Sequence, residues 1–174
     1  MTLKSKDIAI VGILLAIGAI LRYFLAMLHT PLTPNMIIAF YCLAIILIAP
    51  TMLEAVGIGL VAGVLSMLIS GSIFPPANLI SEPLGALVCF AVYALIKNRS
   101  KLAPTATTFL VTLVSGFSFA AIALIAVMPT IVQKYHTLDA FIIVFVPIVV
   151  VTAVFNAVIV QILYIPANRV LSRG

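Results

Sequence analysis

The sequence predicts an all-α membrane protein. It reads as a compact bundle of six transmembrane helices, with residues 1–174 forming a single domain and both termini cytoplasmic. Three observations lead there. The chain is 65% hydrophobic and only 7% charged, against about 25% charged in soluble chains. Its mean hydropathy of +1.39 demands a lipid solvent. Its apolar runs are separated by proline, glycine and charge, and the cations between them fall almost wholly on one side.

The spans follow in order. The first covers 7–28 and ends at HTPLTP. No small-residue cleavage site follows its apolar run, so MTLKSKD reads as the flank of a retained helix rather than a signal peptide. The second covers 35–49 and stops at Pro50; the third covers 54–70 and stops at Gly71-Ser72. Both are shorter than the roughly 20 residues a span needs, so they tuck against neighbours or thin the bilayer. Thr51 and Glu54 in TMLE form a capping-box pattern that starts the third. The fourth covers 76–96 and ends at KNRSK, the fifth covers 103–127 and ends at MPT, and the sixth covers 140–165 and ends at Pro166.

With the N-terminus inside, the inner set of cations is Lys4, Lys6, Lys97, Arg99, Lys101, Arg169 and Arg173, against Lys134 alone outside. That asymmetry orients the chain in the cell membrane. The outer loops are then 29–34, 71–75 and 128–139.

Several function classes fall away. The net charge of +5 is scattered between apolar runs, without the aromatic-interleaved patch of a nucleic-acid binder. Cys42 and Cys89 lie inside apolar segments and read as small buried side chains; His29 and His136 sit at loop edges. No metal or cofactor is expected. There is no GxxxxGK[ST] loop, and SGFS and SGSI do not match a hydrolase elbow, so the chain is not expected to be an enzyme.

The polar residues inside apolar runs carry the functional signal. Arg22 is about fifteen residues into the first span, roughly 22 Å from its inner edge. Glu82 lies in the outer half of the fourth. Charges at such depth are costly. Either the two pair with one another, or Arg22 snorkels to the headgroups, or they bracket a zwitterion, Arg22 taking a carboxylate and Glu82 an ammonium. The segment PPANLISEPLG at 75–85 frames Glu82. Pro75 and Pro76 start a helix, and Pro83 is expected to kink or restart it, bringing Asn78, Ser81 and Glu82 to the rim of an outer cavity. Asn35 either caps the second span or faces that cavity, with Tyr41 deeper. Thr152 and Asn156 share one face of the sixth span, and Gln161 near its inner end reads as structural. The candidate substrate-binding residues are therefore Arg22, Asn35, Tyr41, Asn78, Ser81, Glu82, Thr152 and Asn156. Phe24, Phe40, Tyr41 and Phe74 are candidates to sandwich a ring. In the first span Ala9, Gly12, Ala16 and Ala19 form a small-residue face, which either packs inside the bundle or docks another membrane subunit.

Six short spans, the basic start LKSKDIAIVGILLAIGAIL and this small-residue face resemble the S components of energy-coupling factor transporters. The family's alanine-x-x-x-alanine pattern has Gly12-x-x-x-Ala16 as its counterpart here. LTPNMIIAF at 32–40, LLAIGAILR at 14–22, PPANLIS at 75–81 and the KN after the fourth span are similar to the tryptophan-specific group. That group often has an acid near 81–82, met here by Glu82, and an asparagine near 152, where this chain has Thr152. The absence of Trp suits a protein made when tryptophan is scarce. The resemblance implies a high-affinity binding subunit that captures a small solute outside. It then docks onto a transmembrane coupling subunit driven by two cytoplasmic ATPases, and topples to deliver the solute. The alternatives are another substrate of the same system such as a vitamin, a stand-alone secondary carrier, and a membrane assembly scaffold. A carrier would be expected to hold ionisable groups at the bilayer midplane, whereas Arg22 and Glu82 lie off it. HTPLTP, stiffened by its prolines, is the expected lid.

Overall fold

The computed structural model describes residues 3–27 and 34–171. Within them the chain is all helical: α1 (Ser5–Ala26), α2 (Ile37–Ile48), α3 (Met52–Ile69), a short 3-10 turn (Pro75–Ala77), α4 (Asn78–Ile96), α5 (Ala103–Tyr135) and α6 (Leu138–Leu171). Five of these are long and apolar enough to cross a membrane, the fourth counted with its 3-10 turn. The exception is α2, whose twelve residues reach about 18 Å against a hydrocarbon core of about 30 Å.

Burial explains how α2 is accommodated. Ten of its twelve residues are buried, so it faces protein on all sides. It contacts α1, α3, α4, α5 and α6 alike. A helix that is apolar all round belongs in such a position. Its side chains form the main core with Ala55, Ile58 and Ala62 of α3, Ala86 and Cys89 of α4, and Val160 of α6. Both cysteines are free and buried. By contrast, among the described residues α1 packs on α2 and α3 alone, through a narrow stripe of Leu15, Gly18 and Arg22.

Local chemistry sets the helix starts. The expected capping box is present: Thr51 N and Oγ1 donate to Glu54 Oε2 at 2.7 and 2.8 Å, and Glu54 N donates back to Thr51 Oγ1 at 3.4 Å. The other carboxylate oxygen accepts from Leu3 N at 2.7 Å, tying the start of the chain to the start of α3. Pro75 and Pro76 open the 3-10 turn, where a missing N–H costs nothing.

Three sequence expectations need correction. Pro83 does not restart its helix; α4 runs unbroken from Asn78 to Ile96. The break is in α5 instead, where Val127 leaves helical geometry (φ −138°, ψ 34°) ahead of Pro129. Pro129 has no N–H for the carbonyl of Ile125 and crowds it, which bends the helix there. Third, the segment 128–139 is not a loop. α5 continues to Tyr135, and only His136 and Thr137 separate it from α6, with His136 turning the chain at φ 67°. Likewise α6 starts at Leu138 and runs through Pro166.

The extended α5–α6 hairpin builds a second apolar cluster of Ala77, Phe119, Ala123, Ile131, Phe141, Phe145 and Val149. An aromatic ladder runs through it. Tyr135 meets Phe141 edge-on at 5.3 Å, and Phe141 stacks on Phe145 at 5.3 Å.

Candidate functional site

Between the two clusters lies a cavity of about 70 Å³. A single water needs about 10–15 Å³ of such space, so the cavity has room for several and is more than a packing fault. Its wall joins Arg22 of α1, Asn35 and Ile38 around the start of α2, Ser72 of the α3–α4 connection, Asn78 and Glu82 of the α4 start, Thr112, Ser115, Gly116 and Phe119 of α5, and Phe145, Ile148, Val149 and Thr152 of α6.

The close approach of α3 to α4 sets the depth of Glu82. Gly59 and Gly63 stand four apart on the α3 face that meets α4. A methyl at Gly59 would lie 2.7 Å from Pro83 Cα, and one at Gly63 would lie 2.7 Å from the Asn78 carbonyl oxygen. Only glycine lets the two backbones meet there. Glu82 is thereby 1% exposed and Asn78 1% exposed, so both sit inside the protein rather than on a solvated rim. Asn78 Nδ2 donates to the Pro75 carbonyl at 2.7 Å and closes the 3-10 turn.

The charged pair is the chemical centre. Asn35 Nδ2 donates to Glu82 Oε1, while its own Oδ1 accepts from Ile37 N at 3.2 Å. The amide therefore caps α2 and reaches the carboxylate at once. Among the described residues Glu82 Oε2 has no hydrogen-bond partner, and neither do Arg22 Nε and Nη1, although Arg22 is 2% exposed. Among the described residues no ion pair joins Arg22 to Glu82. Buried charges left so are expensive unless a ligand completes them. Snorkelling is excluded by the burial of Arg22.

Asn156 ties the wall together without lining it. Its Nδ2 donates to the Asn35 carbonyl at 3.0 Å and to Thr112 Oγ1 at 3.2 Å. Thr152 does line the cavity, with its hydroxyl bonded to the Ile148 carbonyl at 2.6 Å. Tyr41 and Ser81 are fully buried behind the wall, Tyr41 with its hydroxyl toward the Glu82 side chain. Gln161 accepts from Thr105 as a helix-to-helix tie.

The ring-bearing residues differ from those expected. Phe24 is exposed, Phe40 packs in the α2 core and Phe74 packs against the second cluster. Phe119 and Phe145 line the cavity instead. Phe145 was missed because it lies in an apolar run with no local polar marker, whereas Phe119 directly follows Ser118 and stands one helical turn after Ser115. Thr112 and Ser115 were missed too. Their spacing in the fifth span was a readable signal, since polar groups three apart share a helix face. The lid segment 29–33, with His29, lies outside the described residues, as does Arg173; Pro34 at its end lines the cavity.

The small-residue face divides. Ala9, Gly12 and Ala16 are exposed, whereas Ala19 packs partly on the core. Three of the four therefore do not serve packing inside the bundle.

The lining of the cavity combines these polar groups with Ile38, Phe119, Phe145, Ile148 and Val149, which makes it amphipathic. Such a space suits a small zwitterion with an apolar side chain.

A family model described as Tryptophan transporter TrpP matches residues 4–172. A Bacillus subtilis (strain 168) protein described as a probable tryptophan transport protein is 28% identical over 177 residues, covering 99% of this chain and 96% of its own. No solved structure matches the chain.

Proposed function

This chain belongs to the TrpP tryptophan transporter family, a multi-pass membrane protein among transporters, and from that premise we propose that it is the tryptophan-binding S component of an ATP-driven energy-coupling factor importer. It captures tryptophan from the outer face of the cell membrane, with both its own termini cytoplasmic. Arg22 takes the carboxylate through its fork, Glu82 Oε2 takes the ammonium, and Phe119 and Phe145 hold the indole. Asn35 orients Glu82, Asn78 and Thr152 complete the wall, and Asn156, Tyr41 and Ser81 support it from behind. The observation that carries this reading is one amphipathic cavity holding a buried guanidinium and a buried carboxylate, each with unpartnered atoms.

The chain would not turn over ATP. Its work is delivered by a transmembrane coupling subunit and two cytoplasmic ATPases, which the exposed Ala9, Gly12 and Ala16 would help to meet, with Ala19 at the edge of that face.

The test is calorimetric titration of the purified chain with tryptophan, other amino acids and vitamins. Tight binding of tryptophan is expected. Arg22→Ala and Glu82→Gln should each weaken it by tenfold or more, since a hydrogen bond to a charged group contributes about 1.5–3 kcal/mol. Unchanged affinity in both variants sinks the zwitterion clamp. Preference for a vitamin moves the chain to another substrate of the same system, and uptake by the lone protein in liposomes under an ion gradient makes it a carrier.

A further inference from the structure

A second, larger hollow of about 640 Å³ opens at the other end of α4, where α4, the turn after it and the end of α6 come together. From Glu82 to Lys97 is fifteen residues of helix, about 22 Å, so this hollow is remote from the substrate cavity. It is lined by Lys97, Arg99, Lys101 and Arg169, with Tyr93 and Tyr164 at its inner wall. The start of α5 borders it through Pro104, adding the positive end of that helix.

Among the described residues no carboxylate lines it, and the four acidic side chains of the chain all lie elsewhere. Asp7 accepts from Lys4 N, and Glu54 is held by Thr51 and Leu3. Glu82 is in the substrate cavity, and Asp139 is at the opposite end of α6 from Arg169. Among the described residues no ion pair neutralises Lys97, Arg99 or Lys101.

The surroundings say what kind of anion belongs there. Tyr93 and Tyr164 set their hydroxyls 3.5 Å apart, and tyrosines of this kind mark the headgroup level of a bilayer. Leu95, Ile162 and Ile165 are exposed on the adjoining helix faces, where acyl chains would lie. Cations on a helix-lined hollow, phenols at the interface and apolar flanks match a phosphodiester with two fatty tails. We propose that this hollow is a binding site for an anionic phospholipid, which takes the phosphate on Lys97, Arg99 and Lys101. The site is independent of the substrate reading, because no residue of it touches the first cavity.

The test uses the full chain in neutral detergent, without amino acid, titrated with fluorescent phosphatidylglycerol and with phosphatidylcholine of the same acyl chains. Saturable binding of phosphatidylglycerol is expected, with little for phosphatidylcholine. Each neutralisation among Lys97→Gln, Arg99→Gln and Lys101→Gln should weaken it about fivefold, following about 1 kcal/mol per basic residue near a charged surface. Lys97→Arg with Lys101→Arg should keep it, and Lys4→Gln with Lys6→Gln, outside the hollow, should leave it nearly unchanged. Equal loss in the Lys4/Lys6 variant would overturn the site in favour of a diffuse basic surface. Full displacement by millimolar inorganic phosphate would make the ligand a soluble anion and overturn the lipid assignment. Binding of a polyglutamate peptide with none of the lipid would overturn it in favour of protein docking.

Discussion

Asn35 and Asn156 show how few groups organise the polar cavity. Asn35 uses one end of its amide to start α2 and the other to hold Glu82. Asn156 holds the Asn35 backbone and Thr112 from the far side. Replacing Asn156 with Ala leaves a buried carbonyl and hydroxyl short of a donor, which costs about 1–3 kcal/mol. Asn156→Ala is expected to lower the thermal midpoint in detergent and to weaken ligand binding less than Arg22→Ala does. Loss of binding equal to that of Arg22→Ala would make Asn156 a direct contact. Its depth was readable from sequence; its partners were not, because they lie 121 and 44 positions away along the chain.

Among the elements, α3 and α4 decide where Glu82 sits. The glycines at 59 and 63 are a small-x-x-x-small pair, the same signal that drew attention to the first span, yet in α3 it serves contact inside the bundle. In α1 the comparable residues are exposed. Spacing alone reports that a helix can be approached closely, and leaves open by what. Gly63→Ala would press a methyl onto the Asn78 carbonyl, and overpacking of this kind costs about 1–3 kcal/mol. The expected outcome is a lower thermal midpoint together with weaker tryptophan binding, read by thermal shift with and without ligand. A neutral result would mean that α3 and α4 can part without disturbing the cavity. Pro83 and Pro129 teach a related point. Pro83 is the sixth residue of α4, past the free N–H groups of the first turn, so it leaves the Leu79 carbonyl without its helical donor, yet the helix runs on unbroken. Pro129 falls late in a long helix, and α5 bends.

For the whole molecule, α2 is the pivot: a helix too short to span lipid becomes the packed centre for five that are long enough. This leaves α1 at the side, held by a narrow stripe and presenting its small residues outward. Enlarging that face with Ala16→Leu is expected to leave tryptophan affinity unchanged and to reduce co-purification with the proposed coupling subunit. Intact assembly would remove α1 from the docking surface. The composition and the punctuation of the chain determined the helical class, the number of helices and most of their starts. They do so because lipid forbids unpaired backbone and leaves helices as the economical solution. The residue types suited to a zwitterion, Arg22 and Glu82, stood out for a similar reason: a charge in an apolar run needs a partner. Only the tertiary structure decided that those two share a cavity without pairing, that Phe119 and Phe145 line it, and that 128–135 is helix. Each depends on which faces of α5 and α6 meet, and among side chains almost uniformly apolar that choice rests on shape, which a one-dimensional pattern of polarity does not record.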